Sequence, residues 1–443
     1  MSRLGYYSYF YGIMEAPLRM VLFISVIVLI AIGCRKEEEN KDPVIDISLP
    51  VEGGVFTAGD SIRVKAMISD DGSLAHVQLG LVDMDLNTVD ASFNFYPDAS
   101  SYELNFDYPV ANIYLEQGDY YIKVKAFDGE KTRYRYRKMG INNVPRTLEG
   151  IVLITSRQNK AGVVCLDPEF QESWTSETGV DYADSELSSR FGQLYLAGRH
   201  SVNLMAFKLP EMTVEWKLDP VINPPMHETG CLHYEDALAV AFRNDYLRVY
   251  NDNGEIISSS ETGQDKHPGE IILTKDILVV EMFNPSGGKR YLETYYCGSG
   301  ILKQTIQIFF DVVELLPSDA GEILVIANRP DDEKGFVITY SSDANLLTEY
   351  LVLNEEIRCA EVIEDKTILL STHSGKYAYT IPETSAILVS DQKADKIEWD
   401  GVNGHVYAIG DFRVSSYTWP GMQLLKTRQT SDSLMGVHLL YNR

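Results

Sequence analysis

The sequence predicts an all-β protein in which a small β-sandwich precedes a seven-bladed β-propeller that a C-terminal strand closes. Three observations predict this fold. After residue 43, apolar and polar residues alternate with a period of two in many short segments. From residue 149 onward a strand signature recurs at the spacing of four-stranded blades, about 40–45 residues. One strand-like segment, 436–441, remains at the end when these repeats have been counted.

The composition is that of a folded protein with an acidic surface. Among 443 residues, 64 are Asp or Glu and 39 are Lys or Arg, which gives a formal net charge of −25. A field of this sign repels phosphate backbones, so DNA and RNA are not expected as partners. The length predicts two or three domains. Tyr, Val and Ile in short runs between Gly, Asp and Asn favour β-structure.

Residues 1–33 are predicted to be a signal peptide. The run Met20–Ile32 is apolar and follows Arg19. It is too short to cross a bilayer as a helix, which takes about 20 residues, but it fits the core of a signal peptide. Met14 is the expected start of translation, because a start there leaves a short leader that ends in Arg19.

The end of this segment, Ala31-Ile32-Gly33-Cys34, is similar to a bacterial lipobox. The resemblance implies that Cys34 becomes the acylated N-terminus, with palmitate among its acyl chains, and that residues 34–43 form a lipidated tether. Two or three chains anchor a protein stably, whereas one chain is marginal. Ala31 stands where the motif usually has leucine. The alternatives are an uncleaved anchor or a chance cysteine after an ordinary secretory signal.

The residues after the cysteine resemble the export signal of surface lipoproteins from Bacteroidota-type bacteria. Arg35 is followed by Lys36, Glu37, Glu38 and Glu39. The resemblance implies an outer-membrane protein that is displayed on the cell surface. The alternative is a solvated charged tether with no sorting role.

Residues 44–145 are predicted to form an immunoglobulin-like β-sandwich. Alternating segments such as Ser61–Ile68 and His76–Val82 give about seven short strands in 100 residues, separated by Gly and Asp turn signals. The segment 118–128 resembles the penultimate strand of bacterial Ig-like and PKD-like modules. That resemblance implies a spacer or an adhesive unit, and the spacer is favoured.

Residues 146–443 are predicted to form the propeller. A turn residue followed by an alternating apolar strand occurs at Glu149–Ile154, Gly192–Leu196, Asp236–Val240, Asp276–Val280, Gly321–Val325, Asp365–Leu369 and Gly404–Ala408. The first repeat begins at its second strand. The segment 436–441 is therefore expected to supply the missing inner strand and to close the ring. The alternatives are a solenoid or two stacked sandwiches.

This region resembles the YVTN/PQQ-like and WD40-like propellers of bacterial envelope lipoproteins. It lacks their regular Gly-His…Trp-Asp signature and the tryptophans that dock PQQ. The resemblance therefore implies an architecture and no particular chemistry.

Sequence motifs of catalysis are missing from the chain. It contains no nucleophile elbow, no P-loop and no zinc-protease motif. Cys165, Cys231, Cys297 and Cys359 fall in four repeats without a C-x-x-C pair, so they are expected to be buried rather than to bind metal or form disulfides. No catalytic residue, metal or cofactor is predicted.

The segments that enter the inner strands of a propeller line its channel mouth, and they supply the candidate binding residues. These are His227, Glu228, His267, Glu270, Asp311 and Glu356, with Glu314 and Glu355 in the same segments. Histidines and carboxylates from neighbouring blades could ring a metal or an acid/base site. Plain polar loops are the favoured interpretation. Four aromatic residues could stack on sugars, although packing on a strand is favoured for them: Tyr295, Tyr296, Tyr417 and Trp419.

The sequence thus favours a surface-anchored lipoprotein that acts as a binding or scaffold module for a glycan or an outer-membrane protein complex. The alternative is a propeller-type lyase or glycan hydrolase that acts at the channel mouth. Histidines and carboxylates with strongly shifted pKa values at the channel would favour the enzyme, and a broad polar mouth would favour binding.

Overall fold

The computed structural model describes residues 40–443 apart from 159, 200–203, 219–227, 235, 243–245, 264, 275, 319–320, 330 and 365. Every regular element in this part of the chain is a β-strand. The described residues contain no apolar helix of membrane-spanning length. The predicted signal peptide, Cys34, the predicted export signal at 36–39 and His227 lie outside the described residues.

The chain divides into two compact units, the first ending at Val144 and the second running from Pro145 to Arg443. The strands of the first unit are β1 (Val44–Leu49), β2 (Gly54–Thr57), β3 (Ser61–Leu74), β4 (His76–Val82), β5 (Phe93–Phe95), β6 (Ala99–Pro109), β7 (Gly118–Phe127) and β8 (Thr132–Asn142). They form one sheet in the order β1-β3-β6 and another in the order β2-β8-β7-β4-β5. The pair β2 and β8 is parallel, and the other pairs are antiparallel.

The two sheets share one hydrophobic core because their strands alternate with a period of two. On β3, Ile62 and Val64 are fully buried, whereas Arg63 between them is exposed and pairs with Asp107. On β7, Ile122 and its alternate neighbours face the same core. Each large aliphatic side chain removed from water in this way contributes about 1.5–3 kcal/mol.

The second unit begins at β9. Its strands, in chain order, are β9 (Leu148–Arg157), β10 (Lys160–Leu166), β11 (Glu172–Glu177), β12 (Tyr182–Ser188), β13 (Gln193–Gly198), β14 (Leu204–Lys208), β15 (Thr213–Leu218), β16 (Glu228–Tyr234), β17 (Ala237–Phe242), β18 (Tyr246–Asn251), β19 (Ile256–Glu261), β20 (His267–Leu273), β21 (Ile277–Asn284), β22 (Lys289–Tyr296), β23 (Leu302–Ile308), β24 (Asp311–Pro317), β25 (Ile323–Arg329), β26 (Lys334–Ser341), β27 (Leu346–Leu353), β28 (Ile357–Glu364), β29 (Thr367–Thr372), β30 (Lys376–Thr380), β31 (Ile387–Ser390), β32 (Lys396–Asp400), β33 (His405–Gly410), β34 (Arg413–Thr418), β35 (Leu424–Gln429) and β36 (Ser433–Tyr441).

Within the described residues these strands form seven four-stranded antiparallel sheets. Six sheets consist of four consecutive strands, from β12-β13-β14-β15 to β32-β33-β34-β35. The remaining sheet has the order β11-β10-β9-β36, so the last strand of the chain completes the first sheet. The pairing of β36 with β9 runs from Ser433 opposite Ser156 to Tyr441 opposite Leu148. This is the pairing expected from the sequence.

One edge strand of each sheet faces the centre of a ring, and these seven strands are called the inner strands here. They are β12, β16, β20, β24, β28, β32 and β36, and each contacts the next. Because β36 also contacts β12, the ring closes. Sheets arranged radially around inner strands of this kind form a β-propeller, and closure leaves no inner strand without a neighbour.

The second strand of each sheet is apolar on both faces because a neighbouring sheet covers each face. On β13, Leu194 and Leu196 pack toward the first sheet, whereas Tyr195 and Ala197 pack toward the third. Two cysteines and two aromatic residues on other strands of the ring also lie in the cores between neighbouring sheets. Cys165 and Cys359 are buried, as expected, whereas Cys297 is half-buried and the side chain of Cys231 is not described. Tyr295 and Tyr417 are buried as well, so stacking on a sugar, the less favoured interpretation, is wrong for this pair.

Candidate functional site

The inner strands carry charged side chains into the middle of the ring. On β32, Ile397 packs into the core between two sheets, and the alternate residues Lys396 and Glu398 point the other way. Equivalent positions on the other inner strands extend the set. A cavity of about 160 Å³, called the central channel here, is lined by Asp184, Glu186, Glu270, Glu314, Glu361, Lys396, Glu398 and His438 among others.

Lys396 is the cation of the central channel among the described residues. Its Nζ lies 3.4 Å from Glu314 Oε1, and the other oxygen of Glu314 accepts a hydrogen bond from the Ala360 backbone at 2.6 Å. Glu314, followed by Asp184 and Glu270, raises the pKa of Lys396, although desolvation opposes the shift. One positive charge faces several carboxyl groups, so the carboxyl groups are not neutralised by ion pairing alone.

The pKa values of these carboxyl groups are raised, so they keep their protons to a higher pH. Loss of water is the largest cause that raises the pKa of both Glu270 and Glu398 to about 8, although Lys396 opposes the shift. Desolvation and then the charge of Glu398 raise the pKa of Glu186 and Glu361 well above the ordinary value. At neutral pH several of these side chains are therefore neutral acids, which donate as well as accept hydrogen bonds.

A chain of polar contacts joins three inner strands. Ser185 Oγ on β12 lies 2.8 Å from His438 Nε2 on β36, and Tyr182 Oη lies 3.0 Å from the same hydroxyl. His438 Nδ1 lies 3.8 Å from Glu398 Oε1 on β32. Burial, followed by the charge of Lys396, lowers the pKa of His438 to about 4, so the imidazole is neutral at pH 7.

The order hydroxyl, imidazole, carboxylate is also that of a nucleophile with its base. Ser185 does not fit that role, because the residue is 5% exposed. A Cβ at Gly436 would lie 3.1 Å from Ser185 Oγ, so the backbone of the closing strand already occupies the approach. We therefore interpret the contact as a structural link between β36 and the second sheet.

A wider cavity of about 720 Å³, called the mouth cavity here, opens where the inner strands β12, β32 and β36 end. Glu186, Glu398 and His438 line both this cavity and the central channel. The remaining lining includes two aromatic residues and three arginines: Trp399, Tyr441, Arg146, Arg190 and Arg443. The cavity therefore combines apolar surface, acids and cations, which suits a polar ligand with a ring.

The structure brings Glu270 and Glu314 of the sequence-derived candidates into the central channel. Asp311 lies elsewhere, since its Oδ1 is 2.6 Å from Arg290 Nε and the same guanidinium reaches Glu281 Oε1 at 2.7 Å. Asp311 thus helps to tie the fourth sheet of the ring to the fifth.

Of the other candidates that the structure describes, His267 and Glu356 line neither cavity. His267 begins β20, half-buried, and its Nδ1 has no hydrogen-bond partner among the described residues. Glu356 is half-buried and directly precedes β28. Glu228 is the first residue of β16, whose side chains are not described, and His227 is not described at all.

Sequence reasoning missed most of the residues that line the cavities. It selected segments at the starts of the inner strands, whereas Glu186, Glu361 and Glu398 lie inside those strands and the mouth cavity opens at their ends. A usable signal was present in Lys396-Ile397-Glu398, where charges alternate with an apolar residue directly before a signature strand.

The described part of the chain holds no group of three or more histidine, cysteine or acidic side chains arranged to bind a metal ion. The central channel is consistent with this finding. Its carboxyl groups come from separate inner strands and include Glu270 and Glu398, whose pKa values of about 8 favour protons over a cation near neutral pH.

Comparison with known proteins finds solved structures whose fold is similar to that of this chain. No family model and no curated protein sequence matches the chain. A quinonprotein alcohol dehydrogenase-like protein from Bacteroides thetaiotaomicron is 10% identical with a TM-score of 0.48, covering 90% of this chain and 99% of that chain. BamB from Moraxella catarrhalis is 10% identical with a TM-score of 0.42, covering 65% and 92%. The computationally designed Ika8 protein is 11% identical with a TM-score of 0.43, covering 66% and 91%. No activity, ligand or partner follows from such similarity.

Proposed function

We propose that this protein is a lipid-anchored module on the outer face of the outer membrane that binds a glycan or supports a protein complex. Residues 1–33 are the signal peptide and 34–43 the tether, acylated at Cys34. Residues 44–145 form an immunoglobulin-like spacer. The three-stranded and five-stranded sheets of the first unit support this assignment. Residues 146–443 form a seven-bladed propeller, supported by the seven sheets around one ring.

The observation that carries the binding function is the mouth cavity. Its volume of about 720 Å³ falls within the usual range of ligand sites, about 300–1,000 Å³. Trp399 offers an aromatic surface, and the acids and arginines around it offer both acceptors and donors. A sugar presents the complementary set, an apolar ring face with hydroxyl groups at its edge. A glycan is therefore the ligand that the cavity suits best.

The test is a glycan array probed with the chain from residue 35 onward, produced without its lipid. Binding should require Trp399, so the Trp399→Ala variant should lose the signal of the parent protein. Phe309→Ala removes an aromatic side chain that is 77% exposed away from the cavity and should bind as the parent does. Equal binding by parent and Trp399→Ala would place the glycan site elsewhere.

A second candidate function, a glycan hydrolase or lyase, is favoured by one observation. Glu186 and Glu398 line the same cavity, and the pKa of Glu398 is raised to about 8, which suits a general acid near neutral pH. The readout is release of new reducing ends or of unsaturated sugars from any glycan that binds. Release that persists in Glu186→Gln and Glu398→Gln would exclude this pair as the catalytic acids.

A further inference from the structure

Three arginines converge on the mouth cavity although the chain carries a net charge of −25. Arg146 precedes β9, Arg190 follows β12 and Arg443 follows β36. Three separate parts of the chain therefore bring a cation to one place. In a protein with this excess of acids, the expected neighbour of a surface arginine is a carboxylate.

Two of the three arginines have no such neighbour. Arg190 Nη1 lies 2.6 Å from Asp236 Oδ1. Arg146 instead lies with its guanidinium carbon 3.8 Å from the centre of the Tyr441 ring. Neither Arg146 nor Arg443 forms an ion pair with any described residue, and Arg443 Nε is buried without a hydrogen-bond partner there.

Two half-buried arginines elsewhere in the ring are paired with carboxylates, unlike Arg146 and Arg443. Arg290 lies between Glu281 and Asp311, and Arg358 is held by Asp395. Those pairs fix one sheet to the next. Arg146 and Arg443 fix nothing of that kind, so their free donors remain for a ligand. A guanidinium binds carboxylate or sulfate oxygens with two parallel hydrogen bonds.

The floor of the mouth cavity does not oppose an anion. Glu186 and Glu398 are acids with raised pKa, and burial keeps His438 neutral. The raised pKa values reduce the negative charge of the cavity floor near neutral pH, so the floor opposes an anion less than ionised carboxylates would. At higher pH the two acids ionise and the cavity becomes less favourable to anions.

The aromatic side of the cavity indicates which kind of molecule bears the anionic group. Trp399 follows Glu398 on β32 and lines the cavity half-buried. Trp399 also packs against the core between the sixth and seventh sheets, and Gly401 places no side chain beside the indole Nε1, since a Cβ there would lie 3.2 Å from that atom. An apolar ring with a polar edge beside two free guanidinium groups matches a sugar ring bearing a charged substituent.

We infer that the mouth cavity binds an anionic oligosaccharide, with Arg146 and Arg443 holding its carboxylate or sulfate groups and Trp399 against a sugar ring. The inference rests on the proposed glycan-binding function and adds to it the chemical class of the glycan.

The test is calorimetric titration of the chain from residue 35 onward at an ionic strength of about 0.15 M, where exposed charges are screened. Three probes separate the possibilities: short oligogalacturonates, the same oligomers with their carboxyl groups methyl-esterified, and sulfated oligosaccharides of similar length. We expect an acidic probe to bind at least about tenfold more tightly than the ester. Arg146→Gln and Arg443→Gln should each weaken acidic binding about tenfold and leave binding of the ester unchanged.

Arg413→Gln is the matched control, since Arg413 bonds to Gln392 and lines neither cavity. Melting temperatures of all variants show whether a loss of binding reflects a loss of fold. Binding by the sulfated probe alone, lost in both arginine variants, supports the inference with sulfate as the anion. Equal binding of acid and ester, unchanged by the arginine substitutions, overturns the inference and leaves glycan binding intact. Failure of all probes and of the glycan array overturns both.

Discussion

His438 on the last strand of the chain is hydrogen-bonded to Ser185 on the second sheet of the ring, with 2.8 Å between Nε2 and Oγ. The two residues are 253 positions apart in sequence. The contact therefore exists only when the closing strand is in place. It supplements the backbone pairing of β36 with β9 by a link to the sheet on the other side.

Ser185→Ala should destabilise the second unit. The substitution leaves His438 Nε2 in a buried position without this partner, which costs about 1–3 kcal/mol. Urea unfolding followed by tyrosine and tryptophan fluorescence measures the change. Ser173→Ala on the exposed outer strand β11 should leave the unfolding midpoint unchanged. If both variants unfold alike, the contact does not contribute to closure.

Removal of residues 433–443 tests closure as a whole. The cut deletes β36, exposes the edge of β9 and leaves Ser185 unpaired with His438. Free strand edges invite aggregation, whereas an ordinary C-terminal tail is dispensable. We expect the shortened protein to be insoluble or to melt well below the parent. An unchanged melting temperature would mean that β36 is not needed to complete the ring.

Much of the strand order of the second unit could be predicted because each sheet places an apolar strand between two neighbouring sheets. That environment buries both faces, and it produces the signature seen at Gln193–Gly198 and at His405–Gly410. A turn residue before each such strand fixes the register of the repeat. The final segment could be assigned because the first repeat lacks a strand before Leu148 that could pair with β9.

The site could not be predicted to the same degree, because distances across a ring are not encoded in local periodicity. Glu186 and His438 line one cavity because β12 and β36 are neighbours in the closed ring, although these strands lie near opposite ends of the second unit in sequence. The sequence pattern shows which faces of the inner strands are polar. It does not show that a shared loss of water raises the pKa of those acids, since that depends on the closed ring.

Localisation can be tested by two sets of substitutions. Cys34→Ala removes the residue that we propose to be acylated, so the protein should be released as a soluble form into the periplasm. Replacing Lys36, Glu37, Glu38 and Glu39 with Ala should leave lipidation intact and turn the protein inward. Protease treatment of intact cells reports surface display. Continued cleavage of the second variant on intact cells would show that the acidic run is not an export signal.

The pH dependence of stability follows from two glutamates whose pKa is raised on folding and one histidine whose pKa is lowered. Glu270 and Glu398 have an ordinary pKa of 4.5 and a folded pKa of about 8. Between these values the unfolded chain releases protons that the folded chain keeps, so stability falls as pH rises through this window. His438 has an ordinary pKa of 6.5 and a folded pKa of about 4. The stability of the folded state falls as pH falls from 6.5 to about 4, because the unfolded chain then binds a proton on His438 that the folded chain excludes.

Above pH 4.5 the two acids outweigh the single histidine, so the second unit should be most stable at about pH 4.5, with weaker stability on both sides. Urea midpoints measured from about pH 3 to pH 9 give the curve. Glu398→Gln replaces an acid by an amide of the same size and should reduce the fall above pH 4.5. Glu103→Gln in the first unit, on an exposed strand face, should leave the curve of the second unit unchanged. A curve that keeps the parent's alkaline slope in Glu398→Gln would show that Glu398 does not hold a proton in the folded ring.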